Sequence, residues 1–442
     1  MIGGTHSGAG KTTVSLGLIA ALRRRGLTVQ PFKVGPDFID PLHHSHASGR
    51  RPRNLDGWML TPEVNRQRFD RASADADAAV IEGVMGLYDG SEGKSDRGST
   101  AEMAKLLDLP IVLVIDAGAM ARSAAALIHG FVTFDPALRF AGVILNRVGG
   151  QAHAGMIRDA VGDELPILGA LPRLPDLVIP ERHLGLHLPH EARKGYVAQA
   201  ADLVEAHVDL DRLLVATRME RRQAEQIPKP PSPRVRLGIA RDEAFCFYYE
   251  DNLELLRHAG ATLVEFSPMR DPLPPDLDGL YLGGGYPELH AEALARNTGT
   301  TTAIRALASS GAPIYAECGG LMYLAERLRV GDKDHPMCGI LPFATAMVGK
   351  LKLSYVEVET TGGLFGVGQT ARGHLFHSSE IVGNPRCSHR YRVRTNMGDI
   401  DQEGYSEENV LASYVHLHFA SNPRLAASLV AACETFRAAK AS

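Results

Sequence analysis

The chain has 442 residues, 45% of them hydrophobic and 22% charged, with 47 Lys plus Arg against 51 Asp plus Glu and a formal net charge of −4. This is the composition of a globular protein too long for a single core, so two domains are expected, and the slight acidic excess gives no general attraction for nucleic acid. Five widely spaced cysteines (Cys246, Cys318, Cys338, Cys387 and Cys433) form no C-x-x-C pair, and no apolar run nears the roughly 20 residues that cross a bilayer. A cytoplasmic protein with reduced thiols, no zinc or redox centre and no membrane association is the expectation.

The chain opens on GTHSGAGKTT, Gly4 to Thr13, and runs directly into the helical pattern TTVSLGLIAALRRRG. Gly4, Gly8 and Gly10 let backbone N–H groups approach phosphate oxygens. Lys11 can reach the terminal phosphates, Thr12 can ligate Mg²⁺, and Thr13 opens the helix at the nucleotide. Gly4 and Gly10 enclose five residues, with Thr5 where the commoner loop has its first glycine, and this longer spacing resembles dethiobiotin-synthetase-type phosphate loops. Such loops follow a buried strand. Here Met1, Ile2 and Gly3 alone precede it, so the strand is either very short or begins upstream of this sequence, the second being the favoured reading.

Acidic residues follow at predicted strand ends. FKVGPDFIDP presents Lys33, Asp37 and Asp40, and VIEGVMGLYDG presents Glu82 and Asp89. Mg²⁺ takes one or two carboxylates with phosphate oxygens and water, a set that Thr12, Asp37 and Glu82 can complete. Asp56 and Asp116 are weaker strand-end candidates, and helix capping is the competing explanation for all of these carboxylates. The runs DAAVIEGVMG, LPIVLVIDA and RFAGVILNRV alternate with amphipathic stretches, which predicts a parallel α/β sheet over residues 1–223. Prolines at 228, 230, 231 and 233 then mark a linker over 224–235.

The same alternation restarts in 236–442, predicting a second α/β domain that becomes strand-rich after Met347. In APIYAECGGLMYL, Cys318 ends a strand and precedes Gly319 and Gly320, a sharp turn at a helix N-terminus where partial positive charge favours the thiolate. His416 in ASYVHLHF is the expected base, with His374, His377 and His418 as competitors, and Gly284 and Gly285 of LGGGYPE can supply an oxyanion hole. Triad glutaminases carry an acid two residues after the histidine. His418 stands there, so a Cys–His dyad is expected. A phosphate loop and a glutaminase-like turn on one chain imply ATP-driven amidation.

Together GTHSGAGKTTVSLGL, PFKVGPDFIDP, RNLDGWML, VIEGVMGLYDG, DEAFCFYYEDNLELL, YLGGGYPELHAEAL, AECGGLMYL and ASYVHLHFASNP resemble the a,c-diamide synthases of cobalamin biosynthesis along nearly the whole chain. The resemblance implies that ATP, with Mg²⁺, phosphorylates an acetate carboxylate of a corrinoid and that glutamine-derived ammonia displaces the phosphate, at two positions in turn. It implies ATP binding by Gly8, Gly10, Lys11, Thr12, Thr13 and Lys33, and places Asp37, Asp40, Glu82 and Asp89 around the ATP, the metal and the activated carboxylate. It also implies a shielded ammonia route. Arg147, Arg182, His183 and His187 are candidates to meet the macrocycle's carboxylates. A nickel-sirohydrochlorin a,c-diamide synthase and a cobyric acid synthase share the motifs, whereas a MinD-like nucleotide switch has no need of Cys318. Two chains pairing as a homodimer is left open.

Overall fold

Aliphatic runs whose alternate residues must face opposite ways are what a doubly covered sheet requires, and the first half of the chain supplies them. In the computed structural model, which describes residues 1–163, 165–174, 181–182, 185–220, 222, 230–383, 385–398 and 400–441, the chain divides into two compact units, Met1–Gln226 and Ile227–Ser442.

The first unit is built on seven strands: β1 (Ile2–Gly4), β2 (Val29–Val34), β3 (Arg53–Leu55), β4 (Ala78–Glu82), β5 (Ile111–Asp116), β6 (Phe140–Val148) and β7 (Ile167–Pro172). They pair in parallel in the order β3-β2-β4-β1-β5-β6-β7. The three-residue β1 lies at the centre, with Ile2 paired to both Glu82 and Val112. The Met1 amine is buried, donates to the Pro110 carbonyl at 2.9 Å, and is pushed down to about 5 by that burial.

Among the described residues of this unit the α-helices are α1 (Lys11–Arg24), α2 (Ile39–Ser48), α3 (Pro62–Ser73), α4 (Thr100–Leu107), α5 (Arg122–Phe134), α6 (Gln151–Val161), α7 (Tyr196–His207) and α8 (Leu210–Ala216). Val112 and Val114 join the core shared with α1, α7 and α8, whereas Leu113 and Ile115 join the core shared with α4, α5 and α6. A short antiparallel ribbon, β8 (Glu181–Arg182) with β9 (Gly185–Leu186), precedes α7.

The second unit starts from a parallel set, β10 (Val235–Ala240), β11 (Ala261–Phe266), β12 (Gly279–Leu282) and β13 (Ile314–Glu317). The strand-rich remainder comprises β14 (Ala325–Val330), β15 (Lys333–Pro336), β16 (Leu341–Thr361), β17 (Val367–Val382), β18 (Ser388–Thr395), β19 (Ile400–Glu407), β20 (Val410–Ser413) and β21 (Val415–Leu417). The sheet runs β11-β10-β12-β13-β20-β19-β18-β16-β14-β15, and β17 bridges β16 to β21. Helices α9 (Glu250–His258), α10 (Ala291–Arg296), α11 (Thr298–Ser309), α12 (Gly319–Leu324) and α13 (Arg424–Ala441) complete it. Among the described residues no helix is long and apolar enough to cross a membrane.

Gly17 sets how closely α1 meets α7: a Cβ there would lie 2.4 Å from Val204 Cγ2 and 2.6 Å from the Ala200 carbonyl oxygen. Backbone cannot yield as a side chain can. Gly17→Ala is therefore expected to lower stability by about 1–3 kcal/mol despite alanine's better helix propensity, read as a fall in thermal midpoint; an unchanged or raised midpoint would show that the two helices separate freely.

Candidate functional site

The phosphate loop leaves β1 and closes at Gly10, whose φ of 101° is unfavourable for any side chain and whose Cβ would fall 2.0 Å from Asn146 Nδ2. Asn146, near the end of β6, donates that amide to the Ala9 carbonyl at 2.9 Å and so holds the loop shut from two strands away. Lys11 begins α1. Its ammonium folds over the loop, donating to the His6 carbonyl at 3.2 Å and to the Met85 carbonyl. Burial, with Lys33 nearby, pushes Lys11 down to about 8.

Glu82, at the end of β4, is 1% exposed and is the hub of this end of the sheet. Its Oε1 accepts from the Thr12 hydroxyl at 2.7 Å and from Lys33 Nζ at 3.3 Å, and its Oε2 faces His44 Nε2 at 2.7 Å. Burial alone would raise a carboxyl, but Lys33 and His44 outweigh it and hold Glu82 well below the usual carboxylate range. Lys33 also meets Asp40 at 2.9 Å. Burial opposes its charge, yet Asp40 and Glu82 prevail and raise it. Asp37 caps α2 by accepting the N–H groups of Ile39 at 2.7 Å and Asp40 at 3.1 Å, and burial next to Asp40 pushes it up to about 7.

Other acidic residues have structural duties. Asp89 accepts the Gly86 N–H at 3.0 Å, closing a turn that packs on Thr5 of the loop. Asp56, expected as a weaker ligand, is buried at 1% and caps a turn through the N–H groups of Trp58 at 2.8 Å and Met59 at 2.6 Å. Asp116 accepts from Gly118 and is ion-paired with Arg147, so the guanidinium expected to meet a macrocycle is turned onto a neighbouring strand end. His187 is tied through its carbonyl to His43 at 2.8 Å. The Arg182 side chain and His183 lie outside the described residues. Among the described residues no cluster of three His, Cys, Asp or Glu side chains is arranged for a metal ion; the hard oxygens of Thr12, Asp37 and Glu82 suit an ion held largely by phosphate.

In the second unit Cys318 sits between β13 and α12 with φ 47° and ψ −100°, strained for a side chain that points out of a sharp turn. Of the two glycines after it Gly320 is a steric necessity, since a Cβ there would lie 2.3 Å from the Leu282 carbonyl oxygen, and Gly319 is tightly placed, with a Cβ 3.1 Å from the Gly285 nitrogen. The Gly285 nitrogen therefore lies close to the Cys318 turn. A Cβ on Gly284 would meet His416 Cε1 at 2.4 Å, so the imidazole lies against the same loop. Cys318 and His416 thus converge on Gly284 and Gly285.

The expectation of a resting thiolate is corrected by the structure. Burial, with Glu288 contributing, pushes the Cys318 thiol up, and the N–H of Gly319 on a helix of six residues does not offset it. Burial also pushes His416 down to about 3 and His377 to about 4. At rest Cys318 is a thiol, its sulfur donating to the Phe376 carbonyl at 3.8 Å, and His416 is a neutral imidazole. His418 Nε2 lies 3.6 Å from Asp251 Oδ2 and its ring packs on Tyr249, whose hydroxyl meets His374 Nδ1 at 3.0 Å. His377 stacks on Tyr414 with centroids 4.0 Å apart.

Three residues were not singled out from sequence: His44, Asn146 and Glu317. Glu317, one residue before Cys318, places Oε2 3.9 Å from His416 Nδ1. Its signal was a carboxylate inside the apolar strand APIYAEC.

Residues 1–186 match the CobQ/CobB/MinD/ParA nucleotide binding domain, and residues 236–424 match the CobB/CobQ-like glutamine amidotransferase domain. The two define a nucleotide-binding ligase of the glutamine amidotransferase class. The chain is 47% identical to the cobyrinate a,c-diamide synthase of Syntrophotalea carbinolica, covering 98% of each. It is 43% identical to that of Leptospira interrogans, again over 98% of each, and 42% identical to that of Methanosarcina acetivorans over 100% of this chain and 96% of that protein. It belongs to the cobyrinate a,c-diamide synthase family.

A thiol raised by burial reacts slowly with alkylating agents. Iodoacetamide at pH 7 is expected to modify Cys318 at least about tenfold more slowly than free cysteine, followed by peptide mass with Cys318→Ser as the blank; faster labelling would mean that the helix terminus, not burial, governs this sulfur.

Proposed function

We propose that this enzyme amidates the a and c acetate carboxylates of cobyrinate or hydrogenobyrinate, with ATP as activator and glutamine as nitrogen donor. The observation that carries the reading is the occurrence, on one chain similar throughout to these synthases, of a phosphate loop with Lys11 and Thr12 in place and a strained Cys318 turn facing Gly285.

In the first unit Gly8, Gly10 and Thr13 present the loop and the α1 N-terminus to the triphosphate, and Lys11 exchanges its carbonyl partners for phosphate oxygens, regaining a firm charge. Thr12 and Asp37, with Glu82 behind the Thr12 hydroxyl, would hold Mg²⁺, which when bound would supply neutralisation of the phosphate charge. Lys33, fixed between Asp40 and Glu82, faces the charge that spreads over the transferring phosphoryl group. Asp40 and Asp89 keep that lysine and the loop in place. The acetate oxygen takes the phosphoryl group, ammonia attacks the acyl carbon, and phosphate departs with that oxygen.

In the second unit His416 takes the thiol proton as sulfur attacks the glutamine carboxamide, Gly284 and Gly285 donate to the developing oxyanion, and the proton leaves with ammonia. Water then clears the thioester. Proximity of substrate is what the neutral resting pair requires: charge separation is stabilised at the moment of attack and not before. A cytoplasmic setting, where ATP and glutamine are plentiful, fits these co-substrates, and sedimentation would establish whether two chains pair.

Mass analysis after incubation with Mg-ATP, glutamine and either cobyrinate, hydrogenobyrinate or nickel-sirohydrochlorin tests the reading. Two amides on cobyrinate or hydrogenobyrinate are expected, with glutamine-dependent turnover abolished in Cys318→Ala and restored by added ammonia. Exclusive amidation of the nickel macrocycle, or full glutamine-dependent activity in Cys318→Ala, would refute it.

A further inference from the structure

Glu317 occupies a place where a carboxylate is costly. It is 1% exposed, and burial pushes it up to about 7 despite three donors. Oε1 accepts the Tyr315 hydroxyl at 2.7 Å and the Leu417 N–H at 3.0 Å, and Oε2 accepts the Tyr281 hydroxyl at 2.9 Å. The Leu417 bond matters for its location. It ties the carboxylate to the residue following His416, so the group that fixes the backbone of β21 is also the group whose second oxygen lies 3.9 Å from His416 Nδ1.

The titratable groups that face Glu317 come from several elements: Tyr281 on β12, Tyr315 on its own strand, Tyr391 on β18, Tyr248 ahead of α9, Cys318 in the following turn, and His416 on β21. Within that set His416 is the group that can take up positive charge. Around the imidazole, burial and His377 oppose protonation, and His374, itself disfavoured as a cation by His416, is stacked on it at 5.0 Å between centroids. A base in such surroundings needs a negative partner at the instant it becomes imidazolium, and the residue two positions on, His418, cannot serve.

We infer that Glu317 is the acid of the glutaminase constellation, a positioning residue that orients His416 from the Nδ1 side and stabilises the imidazolium formed when Nε2 receives the Cys318 thiol proton. This rests on the reading of His416 as the base. The proton passes from sulfur to Nε2 as sulfur bonds to the carboxamide carbon. When the carbon–nitrogen bond breaks, that proton goes with the departing nitrogen to complete ammonia, and Glu317 keeps its own protonation state throughout. The separation of 3.9 Å exceeds a hydrogen bond; catalytic contacts commonly tighten only with substrate in place. The nucleophile and the acid that serves its base would then be consecutive residues of one strand and turn.

The test measures glutamine hydrolysis and ammonia-dependent amidation side by side. Glu317→Gln is expected to lose roughly a hundredfold or more in glutaminase kcat, with KM for glutamine within about twofold, since the amide removes charge and not binding contacts. The acidic limb of its kcat/KM profile should move to lower pH, because the imidazolium has lost its partner, and ammonia-dependent amidation should persist. Glu317→Asp keeps the charge but withdraws it, so partial activity and a smaller limb shift in the same direction are expected. A limb that stays at the wild-type pH in the variants that fold would overturn the inference, whatever the loss in kcat, and would leave Glu317 as an anchor for β21. If Glu317→Gln does not fold, Glu317→Asp decides by the same criterion. Full glutaminase activity in His416→Ala would instead remove the reading of His416 on which the inference rests.

Discussion

A carboxylate that is 1% exposed, Glu82, is the group on which the nucleotide end of the first unit depends. Left alone in such a place it would take up a proton; it stays charged because Lys33, His44 and Thr12 converge on its two oxygens. The consequence reaches across three elements. Thr12 fixes the first turn of α1, Lys33 fixes the end of β2, and His44 fixes α2, so the loop, the lysine and the acidic helix start are aligned by one shared partner. The cost of burying one charge is offset by order in the whole site.

The second unit uses burial to the opposite end. The two groups proposed to react there carry no charge at rest, with a protonated thiol at Cys318 and a neutral imidazole at His416. The Cys318 thiol itself is only 4% exposed. The strained turn at Cys318 is maintained by backbone contacts that leave no room for a Cβ at Gly320, so the strain is geometric and independent of ionisation. One half therefore stores fixed charge and the other withholds it, which matches an anion to be cradled on one side and a neutral amide to be attacked on the other.

The parts of this arrangement visible in the sequence are those that follow from local rules. Glycines that need positive φ, a lysine next to a helix start, and a cysteine followed by two glycines announce themselves within ten residues. The α/β layout was legible because short apolar runs such as LPIVLVIDA alternate with amphipathic stretches, and the structure shows β5 feeding two cores. What escaped reading depends on distance in the chain. Asn146 acts on Ala9 across a separation of 137 residues, and Glu317 reaches Leu417 across 100. Asp56 and Asp116 sit at strand ends like true ligands, and only their contacts show them capping a turn and pairing with Arg147. The resting state of Cys318 was misjudged because a sequence displays the helix that follows a thiol but not how deeply the thiol is buried.

Trp58, whose backbone N–H is held by Asp56, is the single tryptophan among 442 residues. It lies in the first unit and is 8% exposed, while the second unit has tyrosines and phenylalanines as its large aromatic residues. Indole emission excited beyond the tyrosine band is thus an intrinsic optical label for the nucleotide-binding half alone. Denaturation recorded by that emission and by peptide-bond circular dichroism will report on different portions of the molecule, and any offset between the two curves measures how independently the halves melt.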